Sequence, residues 1–376
     1  MKVYLDNAAT TPLDQEVIDV MMPMMQNQFG NPSSIHFYGR EARSIIEKSR
    51  KSISKELNCS PGEIFFTSGG TEADNIAIRC GMSDLGINHA ITSKIEHHAV
   101  GHTLVDMASK GLISLSYVNL DKDGFVDLKH LEELLESNDR SFVSLMHANN
   151  EIGNLLPLKE CGDVCKKHNA IFHSDTVQTM AHYRFDLQDL YVHFITAAAH
   201  KFHGPKGNGF LYVREDISIK PLIYGGSQER NLRAGTENVY GIAGLSKALE
   251  VSYRDLDEHR KHIEEIKAYT INSLKEAISG VEFNGACTDF DNSLYTVLNV
   301  MFPKTDIAEM LFFNLDILGV ASSGGSACSS GSNIGSHVLN EIGSDLQRPS
   351  LRFSFSKYNT KEEIDYLIDQ LKSLFS

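Results

Sequence analysis

Lys201 stands in Ala197-Ala-Ala-His-Lys-Phe-His-Gly-Pro-Lys-Gly207, directly after a β-rich run and among small residues. A lysine so placed can be an imine-forming amine, because a partly desolvated ammonium gives up its proton more readily. The plainer reading is a surface lysine leaning out of a turn. Asp175 lies at the carboxyl end of the apolar run in Ala170-Ile-Phe-His-Ser-Asp-Thr-Val-Gln178, the edge at which open α/β sheets bind ligands. A carboxylate buried there needs a cationic partner; the plainer reading makes it a helix cap. Ile64-Phe-Phe-Thr-Ser-Gly-Gly-Thr-Glu-Ala-Asp-Asn75 passes from a strand through glycines into a helical pattern. Backbone N–H groups at that helix start, with the Thr71 hydroxyl, form an anion cradle. It is neither a P-loop nor a GxGxxG, so nucleotide binding gains little. Ser93-Lys-Ile-Glu-His-His98 offers two histidines, of which at most one is expected to face a cleft, and Arg233-Ala-Gly-Thr-Glu-Asn238 offers a loop threonine and arginine suited to an anion.

Each signal is weak alone, and their order is what carries weight. Cradle, histidine, Asn149-Asn150, acid, lysine and loop threonine follow one another, each after a candidate strand. Pyridoxal 5'-phosphate needs this equipment: a lysine for covalent attachment, an acid to keep its ring nitrogen protonated, and a cradle for its phosphate.

The elements that must position these groups read as an α/β pattern. Candidate strands are Ile64–Thr67, Ala90–Ser93, Ile113–Val118, Phe142–His147, Ala170–Ser174, Phe194–Ala197 and Gly209–Val213, alternating with helical stretches such as Asp127–Glu136. Such alternation predicts a mostly parallel sheet joined by right-handed crossovers. A long charged helical region over Val239–Gly280 leads to candidate strands at Thr296–Met301, Gly319–Ser322 and Leu351–Ser354, with helices near Ile307–Leu315 and Glu362–Phe375. Thr360 and Glu363 read as a capping box for the last helix. The predicted division is a large α/β domain over 14–255 and a smaller α+β domain made of 1–13 and 256–376. Ser322–Ser336 has eleven Ser or Gly among fifteen residues, with Cys328 in its middle; this composition predicts a mobile surface loop.

With 376 residues, 41% hydrophobic and 22% charged, the chain has the composition of a globular enzyme. A formal net charge of −14 disfavours a phosphate backbone as a partner. No run reaches the length of a membrane span, and the N-terminus meets Asp6 before any apolar signal region could form. The six cysteines show no CxxC pair or zinc-type cluster, so no metal site and a reducing, cytoplasmic setting are expected.

The chain resembles the cysteine desulfurases of the NifS/IscS type, fold-type-I pyridoxal-phosphate enzymes of the class-V aminotransferase family. The resemblance runs from Tyr4-Leu-Asp-Asn-Ala-Ala-Thr-Thr-Pro12 and Phe29-Gly-Asn-Pro-Ser-Ser34 through Thr67-Ser-Gly-Gly-Thr-Glu-Ala-Asp-Asn75, Glu96-His97 and Asn149-Asn-Glu-Ile-Gly153. It continues in His200-Lys-Phe-His-Gly-Pro-Lys-Gly207, Gly225-Gly-Ser-Gln-Glu-Arg230 and Arg233-Ala-Gly-Thr236, and ends in Ser322-Ser-Gly-Gly-Ser-Ala-Cys328 and Leu351-Arg-Phe-Ser354. It implies a seven-stranded, mostly parallel sheet and a homodimer. Lys201 would bind the cofactor covalently, Asp175 would pair with its ring nitrogen, and Gln178 and Asn150 would address the ring hydroxyl. His97 would stack on the ring and move protons, with His98 an uninvolved neighbour. Gly70, Thr71 and His200 would hold the phosphate, with Thr236 reaching over from a second subunit. Asn31 and Arg352 would grip the carboxylate of L-cysteine. Cys328 would take the sulfur as a persulfide for an acceptor or scaffold protein, in iron–sulfur cluster assembly, where it could touch a cluster transiently, or in thio-cofactor or tRNA thiolation. Selenocysteine lyase and other fold-type-I aminotransferase activities are the alternatives within the fold.

Two departures from the family pattern stand out: Ala198 replaces a serine whose hydroxyl meets the phosphate, and the cysteine loop carries one extra glycine. Housekeeping relatives also extend beyond their last helix to bind a scaffold, and this sequence ends at Ser376, so weak binding to such a scaffold is expected.

Overall fold

In the computed structural model, residues 1–305, 307–324 and 335–375 are described. The strands are β1 (Val3–Tyr4), β2 (Ile64–Thr67), β3 (His89–Thr92), β4 (Ser114–Tyr117), β5 (Phe142–Ser144), β6 (Ile171–Asp175), β7 (Phe194–Ala198), β8 (Gly209–Val213), β9 (Glu282–Phe283), β10 (Val297–Met301), β11 (Val320–Ala321) and β12 (Ser350–Ser354). The α-helices are α1 (Gln15–Asn27), α2 (Phe37–Glu56), α3 (Gly70–Asn75), α4 (Gly81–Asp84), α5 (His98–Ser109), α6 (Leu128–Glu136), α7 (Leu158–Lys167), α8 (Val239–Arg254), α9 (Leu256–Ala277), α10 (Leu311–Ile317), α11 (His337–Glu341) and α12 (Lys361–Phe375).

Seven strands form the central sheet in the order β2-β8-β7-β6-β5-β3-β4. Pairings from β4 across to β7 are parallel, and β8 runs antiparallel to both β7 and β2. The strands β6, β7 and β8 are buried at every position, as expected where helices cover both faces of a sheet. Each predicted strand of this sheet is present, within one or two residues at most ends; the Phe142 strand stops at Ser144. The predicted helical region 239–280 is two helices, broken at Asp255. Most of α8 is buried between α1 and α2 rather than being a charged surface helix.

Two further sheets, β12-β10-β9 and β1-β11, lie in the second half of the chain together with its first residues. One hydrophobic cluster gathers Val17 through Leu256; another joins Val3 and Leu5 to Ile263 through Leu371. The capping box of α12 is formed: the Thr360 Oγ1 accepts from the Glu363 N–H, and the Glu363 carboxylate accepts from the Thr360 N–H. At the β2 edge, Arg50 and Glu229 make a buried two-pronged ion pair at 2.8 Å, and the Phe66 N–H also donates to Glu229. Glu229 in the Gln-Glu-Arg motif therefore anchors α2 to the sheet and takes no part in the cavity described next.

Candidate active site

β6 and β7 end side by side, and each delivers one reactive side chain at its carboxyl end. Asp175 is the last residue of β6; its Oδ1 accepts the Val177 N–H at 2.8 Å, which turns the chain away from the sheet. β7 ends at Ala198 and runs into a 3-10 turn, Ala199–Lys201. Lys201 points back into a cavity of about 240 Å³ shared with Asp175, where its Nζ donates to the carbonyls of Ala8 and Ala9 at 2.5 and 2.9 Å. These carbonyls arrive from the N-terminal segment, which is tied down by Thr11 through its N–H and hydroxyl to the His200 carbonyl.

The cradle is built by close packing. Gly69 has φ +153°, and a Cβ on Gly70 would lie 2.7 Å from the Val177 Cγ2. The bare backbone thus lets α3 begin against the cavity wall. From Gly70 the helical path continues without a break through a π-helical stretch, Ile76–Cys80, into α4. Thr71, His200 and Ala198 line the same wall. Ala198 is buried at the end of β7 and brings no hydroxyl to this wall.

His97 caps α5: its Nδ1 accepts the Ala99 N–H at 3.2 Å, which leaves the ring proton on Nε2. Burial, and then the neighbouring Lys201, push its pKa down to about 4. The ring is therefore neutral at physiological pH. The Asp175 carboxyl is pushed up to about 7, first by burial and then by Asp74. Lys201 and His173 offset this only in part, so a cationic group of a ligand would further stabilise the carboxylate. Asp74 is also buried against this site and raised to about 7 by burial, with the His173 Nε2 3.4 Å from its Oδ1. Gln178 donates to the Ala8 carbonyl at 3.0 Å. The Arg352 guanidinium is 1% exposed; it donates to Asp6 and to the Asn150 carbonyl at 2.9 Å each, while its Nε–H has no partner among the described residues.

Lys201, Asp175, His97, Gln178, Asn150, Gly70, Thr71, His200 and Arg352 are thus brought to one cavity. Two predicted residues are not among its lining. Asn31 is exposed, and its side chain accepts the Ser33 N–H; a short polar side chain after a glycine closes a local turn instead of reaching across. Thr236 is exposed beside Ser68 and Asn208 in a separate hollow. Cys328 lies outside the described residues.

The class-V aminotransferase family model matches residues 3–367. This chain belongs to that family. A putative cysteine desulfurase IscS 1 of Bacillus subtilis is 43% identical over 369 residues, covering 96% of each chain. Among solved structures, a NifS-like protein is 37% identical with a TM-score of 0.91, covering 100% of this chain and 99% of its own. A structure titled SspA in complex with cysteine is 31% identical with a TM-score of 0.82, covering 96% of this chain and 100% of its own.

Members of the class-V aminotransferase family depend on pyridoxal 5'-phosphate, and the residues present here fit it. The buried acid, the lysine on the adjoining strand end and the Gly70 cradle match its three polar ends. Once bound, the cofactor supplies an electron sink for the substrate's α-carbon. In that setting Lys201 would offer the amine, Asp175 a carboxylate for a protonated ring nitrogen, and His97 a ring able to accept a proton.

Some residues named only within the resemblance motifs prove to build the site as well. Glu96 is buried, accepts the Met146 N–H and the Ser93 hydroxyl, and is raised to about 8 by burial. It ties the His97 segment to the strand end that carries Asn150. In the sequence it stood only as part of the Glu96-His97 motif, with no role of its own assigned. Asp6 and the Ala8 and Ala9 carbonyls carried no signal that a local pattern could expose.

Proposed function

We propose that this protein is a cysteine desulfurase that converts L-cysteine to L-alanine and passes the sulfur on as a persulfide of Cys328. The observation that carries this is the meeting of Lys201 and Asp175 in one buried cavity with a neutral His97 and a buried Arg352. The desulfurase names of the full-length relatives support it, as does the solved relative titled as a cysteine complex. Arg352, with a spare N–H, suits the substrate carboxylate, and His97 is placed to take a proton. In the sulfur step the Cys328 thiolate attacks the substrate sulfur, so that an S–S bond forms while the C–S bond breaks. The electron pair stays on the carbon skeleton, which gains a proton on its way to alanine.

The division into 14–255 and 1–13 plus 256–376 is supported by the two hydrophobic clusters. Homodimer formation would bring a partner copy's Thr236 to the phosphate, and this fits the exposure of Thr236 in its own chain. The same assembly would account for Asn31, whose place in the site remains part of this proposal. The acceptor is a sulfur-receiving or scaffold protein. Among the described residues no helix is long and apolar enough to cross a membrane, which agrees with a cytoplasmic role.

The deciding assay measures alanine and sulfide released from L-cysteine with a thiol reductant. Borohydride should fix the pyridoxyl group to the peptide containing Lys201. A protein that stays colourless with pyridoxal phosphate, or yields no alanine, overturns the reading.

A further inference from the structure

Ser323 lies just past β11, and its backbone N–H and carbonyl pair with those of Arg352 on β12 at 3.2 and 2.7 Å. Its hydroxyl donates at 2.7 Å to the Asp6 Oδ1, the same oxygen that accepts the Arg352 Nη2–H at 2.9 Å. Ser336 caps α11, where its Oγ accepts the Leu339 N–H at 3.0 Å, and it donates its hydroxyl to the Glu151 Oε2 at 2.5 Å. Glu151 is fully buried, lines the cavity and follows Asn150, whose carbonyl accepts the Arg352 Nη1–H. Two serines are thus bonded to two carboxylates, and both sets of contacts lead to one guanidinium. In sequence Cys328 falls between them, five residues after Ser323 and eight before Ser336.

We propose that Ser323 and Ser336 are positioning residues for the sulfur step: through Asp6 and Glu151 they hold both ends of the Cys328 segment to the frame that carries Arg352. This rests on the desulfurase reading above and adds the groups that set where the thiol starts.

A plainer reading gives each serine a local task, a strand pairing and a helix cap. The backbone bonds of Ser323 already complete the pairing, and the Leu339 N–H already completes the cap. Neither task needs a carboxylate, and burying one costs free energy that only good partners offset. A hydrogen bond to a carboxylate is roughly twice as strong as one between neutral groups, so these two hydroxyls are the firm attachments. Five extended residues span at most about 18 Å. Fixing Ser323 beside Arg352, which suits the substrate carboxylate, therefore keeps the reacting thiol at high effective concentration. Freeing either end enlarges the volume that Cys328 explores and slows transfer, while the substrate keeps its own contacts.

The test uses cofactor-loaded protein in single turnover with L-cysteine, reading substrate binding from the cofactor spectrum and the sulfur step from L-alanine formed. Ser323→Ala and Ser336→Ala should each keep the cofactor absorbance and the midpoint of the spectral response, while L-alanine formation slows about tenfold. Ser323→Thr and Ser336→Thr restore a hydroxyl and should recover most of the rate. Ser336→Asp keeps a cap for the Leu339 N–H but sets a second carboxylate against Glu151, so it should be as slow as Ser336→Ala. Natural rates in both serine-to-alanine variants, a slowing matched by an equal shift in the midpoint, or a natural rate in Ser336→Asp overturns the proposal. The natural chain is the reference: if it forms no L-alanine, the desulfurase reading falls, and if it does and the variants match it, this proposal alone falls.

Discussion

Arg352 on β12 donates to the Asp6 carboxylate at 2.9 Å across 346 residues of sequence, joining the two ends of the chain beneath the cavity. The pair is almost fully withdrawn from water on the arginine side, with relative exposures of 1% and 18%. A carboxylate already in place fixes the guanidinium, and its Nε–H has no partner among the described residues and would be free to meet a substrate carboxylate. A lysine cannot hold two carboxylates in this fork geometry. Arg352→Lys should raise the KM for L-cysteine roughly tenfold or more, consistent with loss of about 1.5–3 kcal/mol from a charged hydrogen bond. Steady-state kinetics with unchanged cofactor absorbance would check this.

Asp175 predicts a pH effect in the cofactor-free protein. Its folded pKa of about 7 lies above the ordinary value of 3.8, so between these values the folded state binds more protons than the unfolded one. This contribution to stability is therefore largest at low pH and falls as pH rises through about 7. Buried neutral histidines such as His97 act in the opposite sense below about 6.5, so the comparison must be made against a variant. Relative to Asp175→Asn, the natural cofactor-free protein should lose stability between about pH 4 and 7, by up to roughly 4 kcal/mol. Pyridoxal phosphate should reverse much of that loss. Denaturant melts across pH would show it.

Gly70→Ala should weaken the phosphate cradle. The new methyl would lie 2.7 Å from Val177 and 3.7 Å from Thr196, so α3 or the Asp175–Val177 turn must move. Overpacking of this kind costs roughly 1–3 kcal/mol, which predicts cofactor affinity lower by about tenfold or more by titration at the cofactor band.

Ala198→Ser should act in the reverse direction. It restores a hydroxyl on the wall shared with Thr71 and His200. One hydrogen bond to a charged acceptor contributes roughly 1.5–3 kcal/mol, so pyridoxal phosphate should bind at least several-fold more tightly in the same titration. Unchanged or weaker binding would show that the cradle does not need a donor there.

Cys328→Ser should keep the cofactor colour and the spectral response to L-cysteine while releasing almost no sulfide. His97→Ala should instead impair the spectral response itself. Stopped-flow absorbance combined with a sulfide assay separates the two.

Lys201, Asp175 and Gly70 stood out in the sequence because each follows a short apolar run, and strand ends on a parallel sheet face one edge whatever the rest of the chain does; the choice of His97 over His98 came from the family resemblance. The β-runs themselves were readable for the same reason: strands buried on both faces must be continuously apolar. Local periodicity also marked α12 and its Thr360–Glu363 cap. It did not expose the Asp6–Arg352 pair, the Ala8 and Ala9 carbonyls that hold Lys201, or the bond between Ser336 and Glu151. These depend on segments separated by hundreds of residues, and no local pattern carries their relative position. Tertiary structure also decided that Asp74 and Glu96 are buried, since an acid in a polar-looking motif shows its raised pKa only once the surrounding layers exclude water. The sequence by itself thus determined which chemistry the chain is equipped for. Packing between its two ends decided which groups meet, because burial and long-range contact are properties of the folded whole.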